Sequence, residues 1–281
     1  MDRPDSCAEL LSAHCAERRH LVVGLDTDPQ RLPESLSPGA PPADRVVEFN
    51  RLIVEATAEL ACAYKPNSAF YEALGADGFR ALSETVAAIR EQAPAAAIIL
   101  DAKRADIGST NAGYVTAAFD QLGADAITVH PYLGGEALQP FLARQEKLVF
   151  VLARTSNPGA GELQDLLVDG VPLYRHVART VAGEWNAAGN CGLVVGATYP
   201  DELRQVREDV PALMPILIPG AGAQGGDVAA VVAANREAGS NAFLINSSRS
   251  ILYASPGEDF VEAARSAAES LDAEIRAAAV A

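Results

Sequence analysis

Positive charge is scarce in this chain of 281 residues: 22 Lys and Arg stand against 37 Asp and Glu, a formal net charge of −15 at pH 7. Nucleic acid and anionic membranes both demand a basic face, so the deficit argues against either as the main partner. Cysteine is sparse as well. Cys7, Cys15, Cys62 and Cys191 form no Cys-x-x-Cys pair, and the expectation is four reduced thiols in a cytosolic protein. There is no Cys cluster and no His-x-x-x-His pair with the spacing of a zinc site. A Gly-x-Ser-x-Gly elbow, which would carry a hydrolase nucleophile, is also missing. Apolar runs all fall well short of the ~20 residues that span a bilayer. The opening MDRPDSCAELLSAHCAERRH lacks the apolar core of a secretion signal and reads as a short amphipathic helix at about residues 5–19. A cytoplasmic location is the default expectation. With no linker and no close internal repeat, residues 1–281 read as one domain.

What the chain has instead is a series of short apolar runs. They are LVVGLD (21–26), ACAYKPN (61–67), AAIILDAK (96–103), AITVHPY (126–132), LVFVLART (148–155), GLVVGA (192–197), MPILIPG (214–220) and AFLINSS (242–248). Each has strand length and β-branched content, and none alternates cleanly, as expected of parallel strands buried on both faces. Helical patterns lie between them, at 44–60, 78–93, 110–123, 135–145, 171–189, 199–209 and 225–239, with an Ala-rich tail from about Gly257. In the first, Val46, Val47, Leu52, Ile53 and Leu60 fall near one face. Gly123, Gly189 and Gly239 end three of the patterns, as C-capping glycines do. Trp185 is expected to pack its helix on a neighbour, and Met214 to join the core. Strict alternation of strand and helix implies an α/β fold with a parallel sheet and right-handed crossovers. Eight such units favour closure into a (β/α)₈ TIM barrel over an open doubly wound sheet. The two long loops, 28–42 and 155–171, both follow strand C-termini, the face where such barrels keep their active sites.

Polar residues mark those strand ends: Asp26, Lys65, Asp101, Lys103, His130, Thr155, Ser156 and Arg249, with Asp106 just beyond strand three. Asp101 and Lys103 are two apart and share a strand face. If that face points inward, a carboxylate and an ammonium sit side by side at the barrel mouth, and Lys65 and Asp106 extend the array. The alternative is an ion-pair network that only stabilises the barrel top, against which stands the cost of burying charge. A second constellation is PGAGAQGGD (219–227), where Gly225 and Gly226 are read as opening the seventh helix. Backbone N–H groups in such a loop approach an anion closely, the helix N-terminus favours negative charge, and Arg249 adds a charge-assisted contact. Tight turns alone would also account for the glycines. His130 is read first as a satisfied structural group, the commoner role of a lone histidine at a strand end, with a direct role as the alternative.

These residues resemble a known family. DAKRADI (101–107) resembles the Asp-x-Lys-x-x-Asp signature of the orotidine 5′-phosphate decarboxylases, and GLD (24–26) their first-strand motif with its ribose-binding aspartate. Lys65 falls where the family has its second-strand lysine. Ser156 in TSNPGA resembles the serine that holds the pyrimidine edge. PGAGAQGGD resembles the phosphate-gripping loop, with Gln224 as its glutamine, and Arg249 in SSRSI resembles the phosphate arginine. The likeness runs from strand one to strand eight in order. The long 28–42 and 155–171 segments, the YKPNSAFYEALG context of Lys65, and Ser248 before the arginine resemble the longer bacterial, type 2 subgroup.

The resemblance implies conversion of orotidine 5′-monophosphate to UMP and CO₂ in pyrimidine biosynthesis, with no cofactor and no metal. Asp101 would face the substrate carboxylate, and Lys103 would stabilise a C6 carbanion and protonate it. It also implies a homodimer in which Asp106 and Thr110 reach into the partner's site. Three rivals stay open. One is a Mg-dependent sugar-phosphate decarboxylase or aldolase on the same barrel, which would be expected to carry an acidic metal ligand where Lys65 stands. Another is a Schiff-base aldolase using Lys65 or Lys103. The third is a nucleotide-binding regulator on an inactive barrel.

Overall fold

The computed structural model of the chain describes residues 3–220 and 226–279. The expected runs form β1 (Leu21–Leu25), β2 (Ala63–Pro66), β3 (Ala97–Arg104), β4 (Ala126–Val129), β5 (Leu148–Arg154), β6 (Cys191–Val195), β7 (Ile216–Pro219) and β8 (Phe243–Ser247). Each strand pairs in parallel with its neighbours in the chain, and β8 closes on β1. The TIM barrel inferred from the eightfold alternation is therefore the fold.

Two apolar layers follow from strand alternation. One set of faces, including Val23, Ile98, Ile127, Val149, Leu193 and Ile245, packs outward under the helices. The other, including Val22, Ala63, Ile99, Phe150, Val194 and Leu244, fills the barrel interior. The interior cluster continues into a helix at Cys7–Ala16, whose Leu10 and Leu11 are buried with it. This helix starts where the Ser6 side chain accepts the Glu9 N–H at 3.2 Å. Burying each leucine contributes about 1.5–3 kcal/mol, so the N-terminal segment is part of the barrel's core.

The N-terminal segment buries two histidines, His14 on the helix and His20 just before β1. One ring nitrogen of His14 lies 2.8 Å from the Ala95 carbonyl. His20 stacks on Phe243 at 4.0 Å, with a ring nitrogen 2.9 Å from that residue's carbonyl. Burial lowers the basicity of both, against the backbone hydrogen bond that raises it; Arg19 lowers and Glu17 raises it further at His14, Arg276 and Asp272 at His20. The folded chain thus resists protonation that the unfolded chain accepts. Stability from this source is complete above the unfolded histidine value of about 6.5 and falls as pH drops through it. Urea midpoints should decline from pH 7.5 towards 5.5, and His14→Gln with His20→Gln should flatten that slope. An unchanged slope in the double variant would remove the histidines as its cause.

The glycine reading holds: Gly123, Gly189 and Gly239 have φ of +76°, +71° and +74°, the left-handed C-cap conformation. Trp185 also packs as expected, with its indole so close to Gly135 that no Cβ would fit there. Met214 is buried. All four cysteines are free and buried, and burial pushes the thiols of Cys15 and Cys191 up to about 12. No helix among the described residues is long and apolar enough to cross a membrane.

Three local readings need correction. Two helical patterns end in wider turns, Thr116–Gln121 and Val181–Trp185, instead of continuing as regular α-helix. The seventh helix is not opened by glycine. It begins at Val228, with Asp227 as N-cap accepting the Ala230 N–H at 3.1 Å, so Gly226 precedes it and Gly225 lies outside the described residues. The 155–171 segment is not a plain loop. It holds a turn at Pro158–Ala160, a short helix at Gly161–Gln164 and an antiparallel hairpin of Leu167–Val168 with Val171–Pro172.

Candidate active site

The inward parity that places Val22 and Leu244 in the interior also carries the polar strand ends into the mouth. On β1 the face of Val22 continues through Gly24 to Asp26. On β2 it runs from Ala63 to Lys65. On β3 it runs from Ala97 and Ile99 to Asp101 and Lys103. Gly24 is required here. A Cβ would collide with the Ser248 side chain and come within 3.1 Å of Asn246 Oδ1.

Lys65, only 3% exposed, donates to Asp101 Oδ2 at 2.7 Å and lies 3.8 Å from Asp26 Oδ1. Lys103 Nζ donates to the other carboxylate oxygen, Oδ1, at 2.6 Å. Thr128 on β4 donates its hydroxyl to that same oxygen at 2.8 Å and accepts the Lys103 N–H at 3.0 Å. Burial alone would raise the Asp101 carboxyl, but Lys65 and Lys103 outweigh it and hold it well below the usual range. Burial likewise opposes charge on Lys65, and the carboxylates of Asp101 and Asp26 outweigh it and raise its ammonium above the ordinary value. Both groups are charged at neutral pH. The result is an alternating row, Asp26–Lys65–Asp101–Lys103, with the last member outermost at 47% side-chain exposure.

The backbone is distorted at this point. The register of β3 on β4 shifts between Leu100 and Arg104. Lys103 has φ +47°, a left-handed conformation costing roughly 1–2 kcal/mol for a residue with a side chain. Such outliers persist where neighbours over-determine them. The Thr128 hydroxyl, bonded to both the Lys103 N–H and Asp101, is one such neighbour.

The other candidates fall at the same mouth, with differences. Asp26 Oδ1 is buried and has no hydrogen-bond partner among the described residues. Asp106 does not join the array in this chain: its Oδ1 accepts the Ile107 N–H at 2.7 Å, and none of the described ion pairs includes it. Asn111 fixes that corner, accepting the Asp106 N–H at 2.9 Å and donating to the carbonyls of Asp106 and Ala137, each at 2.6 Å. Thr110 is exposed on the helix Gly108–Val115. His130 takes a structural contact, its Nδ1 accepting the Tyr132 N–H at 3.3 Å. Arg249 opens the short helix Arg249–Leu252 after β8 and is exposed. Gln224 lies outside the described residues. Ser156 sits over Gly196, close enough that a Cβ there would meet its own Cβ at 2.9 Å.

Sequence reasoning missed Thr128, although it lies two residues before His130 and so on the same strand face. It also missed Arg154, which alternation would point inward. On β5 Leu152 pairs with Val194 and Arg154 with Val195. This bulge turns Arg154 outward, where its guanidinium lies 4.3 Å from the Tyr199 ring.

The family model for the orotidine 5′-phosphate decarboxylase / HUMPS family matches residues 19–267. A curated relative from Herpetosiphon aurantiacus, named orotidine 5′-phosphate decarboxylase, is 53% identical over 261 residues, covering 92% of this chain and 93% of its own. Another of the same name from Cellvibrio japonicus is 47% identical over 270 residues, covering 96% and 97%. The solved structure of Leishmania donovani OMP decarboxylase superposes with a TM-score of 0.82 at 40% identity, covering 98% of this chain and 99% of that one. With a model match across most of the barrel and relatives alike over nearly their whole length, the chain belongs to the orotidine 5′-phosphate decarboxylase / HUMPS family.

Proposed function

We propose that this chain is a cytoplasmic orotidine 5′-phosphate decarboxylase. It converts orotidine 5′-monophosphate to UMP and CO₂ as a one-domain protomer of a homodimer. The observation that carries the reading is the row of fixed charges ending in Lys103 at the barrel mouth. The bond from C6 to the carboxylate breaks, CO₂ leaves, and the electron pair stays on C6. Lys103 Nζ then donates a proton to that carbon and is reprotonated from solvent.

The array limits how the barrier can be lowered. A like-charge contact at 4 Å is worth ~4 kcal/mol at an effective dielectric of 20, whereas enzymatic acceleration typically needs ~8–23 kcal/mol. Asp101 is moreover already compensated by two ammonium groups and a hydroxyl. Repulsion of the substrate carboxylate is therefore the smaller contribution. The field of Lys103 on the developing carbanion is the larger one, and a preorganised cation acts there without reorganisation. Binding energy from the phosphate, through Arg249 and Gln224, supplies the rest. The Oδ1 of Asp26, which makes no hydrogen bond among the described residues, offers an acceptor for a ribose hydroxyl, and Ser156 a directional contact to the pyrimidine edge.

Neither enzymatic rival finds its chemistry here. The Mg-dependent enzymes would need a carboxylate where this chain buries Lys65; a Schiff base needs a free neutral amine, whereas two carboxylates keep Lys65 protonated and Lys103 Nζ is bound to the Asp101 carboxylate at 2.6 Å. Purified protein should bleach the absorbance of orotidine 5′-monophosphate, at the same rate with and without EDTA. Loss of activity in EDTA would favour the metal-dependent rival, and nucleotide binding without CO₂ release would favour a regulator.

A further inference from the structure

The β5 ladder ends at the bulge that turns Arg154 outward, and Ser156 lies beyond it, where strand parity no longer sets its direction. Val194 belongs to the interior layer, so Gly196, two residues on, faces the lumen, and Ser156 packs directly on it. Nothing in β5 itself holds this strand end, since the ladder stops at Arg154. The Gly196 N–H donates to the Arg154 carbonyl at 2.9 Å, and beyond that point the contact that holds Thr155 comes from the short helix Gly161–Gln164.

The Gln164 side chain folds back onto the strand end. Its Oε1 accepts the Thr155 N–H at 2.9 Å and Arg154 Nη1 at 3.2 Å, and its Nε2 donates to Thr155 Oγ1 at 2.8 Å. One amide thus takes the place of a missing neighbouring strand. The Thr155 hydroxyl passes the constraint on, donating to Asn157 Oδ1 at 2.7 Å, so Ser156 is bracketed on both sides. Arg154, 4% exposed, is fixed in turn by an ion pair to Asp165 at 3.3 Å and by the Tyr199 ring.

We propose that Gln164 is a positioning residue that aims Ser156 at the substrate. It acts through the strand end at 154–156 and touches no reacting atom. The inference rests on the reading of Ser156 as a pyrimidine contact given under the proposed function.

The test is a double-mutant cycle with an independent structural readout. Gln164→Ala should lower kcat/KM by about 30-fold, since a misplacement of about 1 Å can cost 10²-fold. In a Ser156→Ala background the same change should cost less than about 3-fold, because a positioning effect has nothing left to position. Gln164→Glu keeps both acceptor contacts but loses the Nε2 donor to Thr155 Oγ1, so its kcat/KM should fall between wild type and Gln164→Ala. Amide hydrogen exchange at Thr155 and Ser156 should quicken in Gln164→Ala without substrate present. Equal losses in the two backgrounds, or unchanged exchange, would overturn the proposal. Should the alanine variant not fold, Gln164→Asn, one methylene too short to reach Thr155, gives the same cycle. A wild-type protein with no turnover sinks the decarboxylase reading, while the exchange measurement still decides the tether.

Discussion

Lys103→Ala should lower turnover of orotidine 5′-monophosphate by at least about 10⁴-fold and leave the fold intact. The size follows from two losses at one atom. General acid catalysis contributes ~10²–10⁴-fold, and one preorganised electrostatic contact ~10²–10³-fold. The fold survives because the Lys103 side chain is half exposed and Asp101 keeps Lys65 at 2.7 Å and Thr128 at 2.8 Å. The left-handed backbone at position 103 is as costly for alanine as for lysine, so that strain does not change. Lys103→Arg separates the two losses. It keeps the positive charge but not a usable proton, because the guanidinium stays protonated at all working pH. Its residual rate above that of the alanine variant measures the field alone. Single-turnover kinetics with circular dichroism as the folding control read both variants. Near-normal turnover in Lys103→Ala would sink the mechanism.

The contrast between Lys103 and Arg154 shows what sequence alone can reach. The alternation of strand and helix and the count of eight units led to the barrel, the strand ends put Asp26 and Lys65 at its mouth, and parity put Asp101 and Lys103 on one strand face. These rules are local, so they can be read residue by residue. Parity fails wherever a strand carries an extra residue, as at Ala153, because a side chain still paired beyond it, here Arg154, changes face. Partners distant in the chain are equally hidden. No local signal pairs Gln164 with Thr155, or tells that Thr128 holds both Asp101 and the Lys103 backbone. The helix start at Val228 was missed for another reason: Gly-Gly drew attention from Asp227, an ordinary N-capping residue.

Asp106→Ala and Lys103→Ala should each be inactive as homodimers, yet a heterodimer of the two should regain about half of wild-type turnover per dimer. In this chain the Asp106 carboxylate reaches only its neighbour's N–H, not Lys103. The corner that carries it is rigid, because Asn111 grips the backbone of residue 106 on both sides. Removing the carboxylate therefore leaves the corner in place. Beside it Ile107, Tyr132 and Leu133 are 60%, 87% and 40% exposed, an apolar rim of the kind that marks a protein–protein contact. If a second copy covers that rim, each Asp106 enters the partner's mouth and completes the row beyond Lys103. A mixed dimer then holds one site with both defects and one with neither. Co-expression with two affinity tags isolates the heterodimer for assay. An inactive heterodimer would mean that Asp106 serves its own chain. An active Asp106→Ala homodimer, or an active wild-type monomer in analytical ultracentrifugation, would mean that the site is not shared.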